Sequence, residues 1–222
     1  MLSQRWEHIL FLHYSYDKES IQKHLPKGLV CDTYGDQAYL SIVPFSMNNI
    51  KFGALPTLPF TSLWELNLRT YVKHNGESGI YFFTLDSTHR LGNWIARKFF
   101  HLPYRHTSIQ AHVTKDKYSV KSPKFSVEAQ IQSSASSSSD LDKWLTERYC
   151  LYTESPKGIL KGQVSHKPWS LNPASITSYE NSFSDSLGFP TTKTRNKDLE
   201  ENFAGATYSK RLDVRFKPFR KV

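Results

Sequence analysis

At 222 residues the chain is long enough to bury a substantial core without disulfides or metal, in one large β-rich domain or two small ones. Two cysteines are too few for a disulfide framework, and no apolar run approaches the length of a membrane span. The net charge of +9 admits anionic partners. The cations are scattered, however, except in the tail (Lys210, Arg211, Arg215, Lys217, Arg220, Lys221), so nucleic acid is not an expected partner. The first five residues lack the apolar run of a signal peptide behind them, which makes the cytoplasm the expected location.

In chain order, residues 9–16 read as a strand carrying His13. Asp17 is placed to cap a helix over 18–25, ended by Pro26 and Gly28. A hairpin follows, with arms 29–33 and 37–45 turning about Tyr34-Gly35-Asp36. A Pro-rich loop, 53–60, leads into residues 64–72, which alternate strictly. Trp64, Leu66, Leu68 and Val72 point one way, and Glu65, Asn67 and Arg69 the other. That polar row is either solvated surface or the wall of a cavity.

After the turn signal His74-Asn75-Gly76, residues 80–85 form a near-continuous apolar strand with no polar alternate face, as expected of a strand covered on both sides. Pairing with 64–72 would place Glu65, Asn67 and Arg69 over an enclosed space. Glu65 and Arg69 are four residues apart, about 13 Å along a strand, so they would meet through a ligand or another residue.

Asp86 or Ser87 can cap a helix over 89–100, stopped by Leu102-Pro103, after which 104–113 resumes as a strand. Hairpin signals continue at Lys115-Asp116-Lys117 and Ser122-Pro123. The serine run 133–139 reads as a mobile loop, and Ser139 or Asp140 caps a short helix bearing Leu141, Trp144 and Leu145. Residues 149–153 and 158–166 form a hairpin about Ser155-Pro-Lys-Gly158. A short helix is expected near 179–187 and a polar loop after Pro190. Leu212, Val214 and Phe216 alternate in a last strand with a basic outer face. There is no internal repeat, and one antiparallel β domain spanning 1–222 with short helices is the economical reading.

No phosphate-binding loop, dinucleotide fingerprint or nucleophile elbow is present. His106 and His112 share a strand face but lie about 20 Å apart, so no metal site is expected and no cofactor is implied. Cys150 reads as a small buried hydrophobe, and His13 as a core or pocket histidine.

The chain resembles the YqjF-like family of bacterial proteins, whose function is uncharacterised. The resemblance rests on Arg5-Trp6, His13, Leu25-Pro-Lys-Gly-Leu29, Val43-Pro-Phe45, Glu65-Leu-Asn-Leu-Arg-Thr-Tyr71, Phe82-Phe-Thr-Leu-Asp86, Ala96-Arg97, Leu102-Pro-Tyr104, Leu145-Thr-Glu-Arg-Tyr-Cys-Leu-Tyr152, Pro168-Trp169 and Arg211-Leu-Asp-Val214. It covers nearly the whole chain in order, most thinly at the serine run and at 188–205. It implies the acetoacetate-decarboxylase-like superfamily, and with it an antiparallel, cone-shaped β-barrel around an internal pocket.

By that resemblance Glu65 matches a pocket glutamate of the decarboxylase. The decarboxylase segment Gly-Phe-Pro-Lys-Lys, with its Schiff-base lysine, is matched by His101-Leu-Pro-Tyr-Arg105. Tyr104 and Arg105 then stand where two lysines would. A phenol forms no imine with a ketone and an arginine will not deprotonate to do so, so Schiff-base decarboxylation is not expected. The expected activity is binding of a small carboxylate or oxygen-rich ligand. Arg69, Arg105 and Asn67 would be its polar contacts, with Tyr71, Phe82, Tyr104 and His13 as the wall. Two alternatives stay open: a lyase, hydratase or hydrolase using Glu65 and Tyr104 as acid and base, and a purely structural ion network. The chain is a possible homo-oligomer, with its basic last strand as surface or interface.

Overall fold

The structure is a computed structural model that describes residues 1–53, 62–133, 138–189 and 202–222. The expected Pro-rich loop, most of the serine run and the polar loop after Pro190 lie outside the described residues. The first half of the chain holds β1 (Leu2–Tyr16), α1 (Lys18–Gln22), β2 (Val30–Cys31), β3 (Thr33–Tyr34), β4 (Gln37–Phe52), β5 (Leu63–His74), β6 (Glu77–Ser87) and α2 (Arg90–Phe100). After it come β7 (Tyr104–His106), β8 (Gln110–Val113), β9 (Lys117–Ser122), β10 (Phe125–Ile131) and α3 (Asp140–Thr146). The last elements are β11 (Cys150–Ser155), β12 (Gly158–Ser165), β13 (Asn172–Asn181), β14 (Phe203–Phe216) and β15 (Arg220–Lys221).

Strands β12, β11, β6, β5, β4, β1 and β14 are neighbours in that order, and Val164 of β12 pairs with Phe216 of β14. The ring therefore closes into a barrel, with two short seams, β6–β11 and β12–β14. Its pairings are antiparallel except β6 with β11, where Leu151 lies beside Ile80. Strands β13, β10, β9 and β8 continue from β14 as a second sheet. The turn from β5 to β6 uses Asn75 and Gly76, both at positive φ (50° and 83°), as a two-residue hairpin requires.

Each long barrel strand separates two apolar regions. Leu66 and Leu68 of β5 and Leu10 and Leu12 of β1 pack outward against Tyr118, Val120 and Phe125 of the second sheet. Ile9, Phe11, Val43, Tyr71 and Trp169 form the inner cluster. In β1 the alternation slips at His8, a non-glycine residue in the left-handed region (φ 55°). The register shift there lets Trp6 and Ile9, three apart, both face inward. A second shift against β5 brings Phe82 and Leu85 of β6 to the same side.

Several expectations change in detail. Residues 104–113 are two strands, not one, because β7 pairs in parallel with β6 while β8 joins β9 in the second sheet. Near 179–187 there is no α-helix: Tyr179 pairs with Val127 inside β13, and only Asp185–Leu187 turns, as one 3-10 turn. Helix α1 stops at Gln22 and takes no side-chain cap from Asp17. Helix α2 is capped by the His89 ring, which accepts from Gly92 N at 2.9 Å, rather than by Asp86 or Ser87. Ser139 does cap α3, in a capping box with Asp142.

Candidate functional site

The inner face of β5 opens onto a cavity of about 880 Å³, within the range of ligand pockets. Glu65, Asn67 and Arg69 project into it from β5, Phe82 and Ser87 from β6, and Tyr104 from β7. The rest of its wall is chiefly apolar, with Trp6, Phe11, Phe45, Leu151 and Trp169 prominent. Thus the polar row of β5 is cavity wall, while Leu66 and Leu68 of the opposite row are sealed between two sheets.

At one end lies an acid–phenol pair. The Tyr104 hydroxyl donates to Glu65 Oε2 at 2.6 Å, and the Asn67 amide donates to Oε1 at 3.1 Å. Burial pushes the Glu65 carboxyl up to about 7, with Asp86 adding to the rise, while the bonds from Tyr104 and Asn67 pull against it. Burial, then the neighbouring Glu65 charge, holds the Tyr104 phenol well above its usual value. Glu65 therefore stands near half-protonation at neutral pH, in contact with a phenol that keeps its proton.

Tyr104 owes its position to a short clamp. His101 ends α2 in the left-handed region, its carbonyl accepts from Thr153 Oγ1 at 2.6 Å, and Tyr104 then lies beside Leu85 in parallel register. Asn93, buried in α2, donates to the carbonyls of Ser87 (3.3 Å) and Arg105 (3.0 Å), and its own Oδ1 accepts from Ser87 Oγ. One amide thus ties the helix to both strands.

A cationic group completes the wall. Arg69 donates through Nη2 to the Leu145 carbonyl at 3.4 Å and stacks over Phe11, with Cζ 5.3 Å from the ring centre. Arg148 donates from Nε to the Trp144 carbonyl (2.7 Å) and from Nη1 to Asp32 (2.9 Å), and lies over Trp144 at 4.1 Å. Both guanidinium groups thus sit on carbonyls at the C-terminal end of α3, where cations are favoured. Asp32 is buried, which by itself would raise its carboxyl. Bonds from Lys73, Arg148 and Ser78 bring it below the usual range.

Three buried polar atoms of cavity-lining side chains have no hydrogen-bond partner among the described residues: Arg69 Nε, Arg148 Nη2 and Asn67 Oδ1.

Of the residues expected at the site, Glu65, Asn67, Arg69, Phe82 and Tyr104 meet at this cavity. Arg105, Tyr71 and His13 are not among its lining residues. Alternation along β7 turns Arg105 away from Tyr104, to pair with Asp86 at 2.7 Å beside Phe183, with almost half its side chain exposed. Tyr71 and His13 lie behind the wall in a relay, with Ser41 Oγ 2.7 Å from both His13 Nδ1 and the Tyr71 hydroxyl. Burial, then Arg69, pushes His13 down to about 3, so it stays neutral. Arg148 and Asn93 were not singled out in the sequence. Arg148 lies within the segment Leu145-Thr-Glu-Arg-Tyr-Cys-Leu-Tyr152 that carries part of the resemblance, whereas nothing in the linear sequence marks Asn93.

Among the described residues no three His, Cys, Asp or Glu side chains converge as a metal site, and no helix is long and apolar enough to cross a membrane.

The profile of DUF2071, an uncharacterized conserved protein family, matches residues 3–211. The chain belongs to the DUF2071 family. It is 35% identical to the uncharacterized protein YqjF of Bacillus subtilis (strain 168), across 100% of this chain and 92% of that one. Among solved structures, this DUF2071 chain is similar to acetoacetate decarboxylase from Legionella pneumophila (12% identity, TM-score 0.63, 95% of this chain and 84% of that one). It is also similar to the enduracididine biosynthesis enzyme MppR complexed with pyruvate (12% identity, TM-score 0.68, 99% and 90%). The fold is acetoacetate-decarboxylase-like, the YqjF resemblance is that of a family member, and at these identities the solved structures speak for the fold alone.

Proposed function

We propose that the barrel binds a small, largely apolar molecule carrying a carboxylate or keto oxygen. The observation that carries this reading is the set of unpaired buried atoms on an otherwise apolar wall. Two guanidinium N–H groups and one amide oxygen are desolvated without a partner among the described residues, a cost that a ligand oxygen or hydroxyl would offset. Arg69 and Arg148 suit an anionic oxygen, and Phe11, Phe82 and Trp169 suit an apolar body. A similar fold solved with pyruvate bound supports a small oxo acid as the first class to try.

A thermal-shift screen with small carboxylates, ketones and aromatic acids tests the reading. Wild type should be stabilised by at least one class, Arg69→Gln and Arg148→Gln should lose most of that shift, and Arg105→Ala should retain it. A screen in which no compound shifts wild type more than the arginine variants would sink it.

A second reading is favoured by one specific observation: Glu65, raised to about 7, is bonded to Tyr104. That pair can pass a proton to or from a bound ligand, as a lyase, hydratase or hydrolase requires. Turnover of a bound compound, with a rise near pH 7 that Glu65→Gln abolishes, would separate catalysis from binding. Imine chemistry has no support at Tyr104. Lys217 is the one lysine lining the cavity among the described residues, and it is exposed. Borohydride trapping with acetoacetate should leave the mass of the chain unchanged, and an adduct at any lysine would revive the Schiff-base route.

A further inference from the structure

The inner side of α2 closes the cavity through Asn93, Ile95, Ala96 and Phe100. Its outer side also presents large apolar side chains. Leu91, Trp94 and Phe99 are 62%, 48% and 60% exposed, large values for such side chains clustered on one short helix. The same helix carries Arg90, Arg97 and Lys98 and no acidic residue, and none of these cations enters an ion pair among the described residues. The Lys98 ammonium sits over Trp94 at 4.8 Å and Phe99 at 5.8 Å, so the aromatic and cationic groups form one patch.

That patch continues beyond the helix. Phe100 packs on Phe219 with ring centres 5.5 Å apart, which brings the exposed Lys217, Arg220 and Lys221 of the C-terminal segment beside the end of α2. The last cations of the basic tail and the basic helix therefore lie on one surface. Exposed Leu91 and Lys217 also line the cavity, so this surface includes part of the pocket rim.

We propose that this face docks on an anionic lipid surface, with α2 lying in the plane of the interface. At 11 residues the helix is about 17 Å long and cannot span a bilayer. Trp, Phe and Leu beside Lys and Arg are the groups that an interfacial helix uses, with the rings among the acyl chains and the cations at the headgroups. Charge selects lipid over a second copy of this chain: the chain is strongly basic (+9), and the patch meeting itself would set like charges together. An apolar occupant of the cavity would then enter at the rim from the membrane side. That last step rests on the pocket reading, whereas docking itself does not.

Flotation of the full chain with phosphatidylcholine vesicles, with and without phosphatidylglycerol, tests the assignment. Binding should require phosphatidylglycerol and weaken with salt. Each cation near such a surface is worth about fivefold in affinity, so reversing two, as Arg97→Glu with Lys98→Glu, should weaken binding ~25-fold or more. Trp94→Ser with Phe99→Ser should remove most binding, while both double variants melt close to wild type. Equal flotation with both vesicle types, no flotation, or flotation unchanged in the charge-reversal pair would overturn the proposal. So would self-association through this face that the aromatic pair abolishes in a chain that ignores vesicles. Flotation reads the docking face and the ligand-induced melting shift reads the cavity, so either can fail alone.

Discussion

Leu66 and Leu68 on one face of β5 are sealed between two sheets, while Glu65, Asn67 and Arg69 on the other face border a cavity. Both rows are buried, yet the physics differs. The outer row is satisfied by packing alone, which needs no ligand. The inner row removes charge and amide groups from water and leaves some of them unpaired, which makes it costly in the empty protein. A single strand can thus hold the fold together with one face and line a polar cavity wall with the other, because the period of two keeps the rows apart.

Substitutions on the two faces should therefore fail differently. Leu66→Ala, at a site with 0% exposure, should cost about 2–5 kcal/mol in denaturant unfolding and leave the ligand profile unchanged in a chain that still folds. Glu65→Gln should act in the opposite sense. The folded carboxyl sits at about 7 against 4.5 for an ordinary glutamate, so the protonated form stabilises the fold fully below 4.5 and that advantage is lost as pH rises through about 7. The glutamine variant should consequently gain on wild type across that window, approaching about 3 kcal/mol in alkaline melts. A gain that shrinks with rising pH would show that Glu65 is not held protonated.

Smaller effects sharpen the contrast. Phe82→Ala, half-buried on the cavity wall, should cost roughly 1–2 kcal/mol by calorimetry because part of its surface already faces open space, yet it should reshape ligand preference. Arg105→Ala removes a half-exposed ion pair with Asp86 and should shift stability by less than about 1 kcal/mol, with no change in ligand response. A large ligand effect at Arg105 would mean that the two faces communicate.

Much of this was legible in the sequence where period and spacing carried it. Strict alternation separated the two rows of β5 and Asn75-Gly76 fixed the hairpin, whereas Glu65 and Tyr104, 39 residues apart, were linked only by what the family resemblance implied. What was hidden is what alternation cannot encode. The bulge at His8 changes which residues of β1 face inward, and a left-handed histidine has no sequence signature. The break between β7 and β8 follows from parallel pairing with β6, a contact between distant segments. Adjacency of Tyr104 and Arg105 in the motif suggests a shared pocket, yet a strand turns the second away from the first. Arg148 is held at the cavity in part by Asp32, 116 residues earlier, a contact between distant segments.

Asn93 bonds β6 and β7 from within α2, so the helix and the Tyr104 strand are geared together. The loop from α2 to β7 adds a second tie, with Leu102 N donating to the Ala96 carbonyl at 3.4 Å. The exposed helix and the Glu65–Tyr104 contact are therefore joined by one buried amide and one short loop.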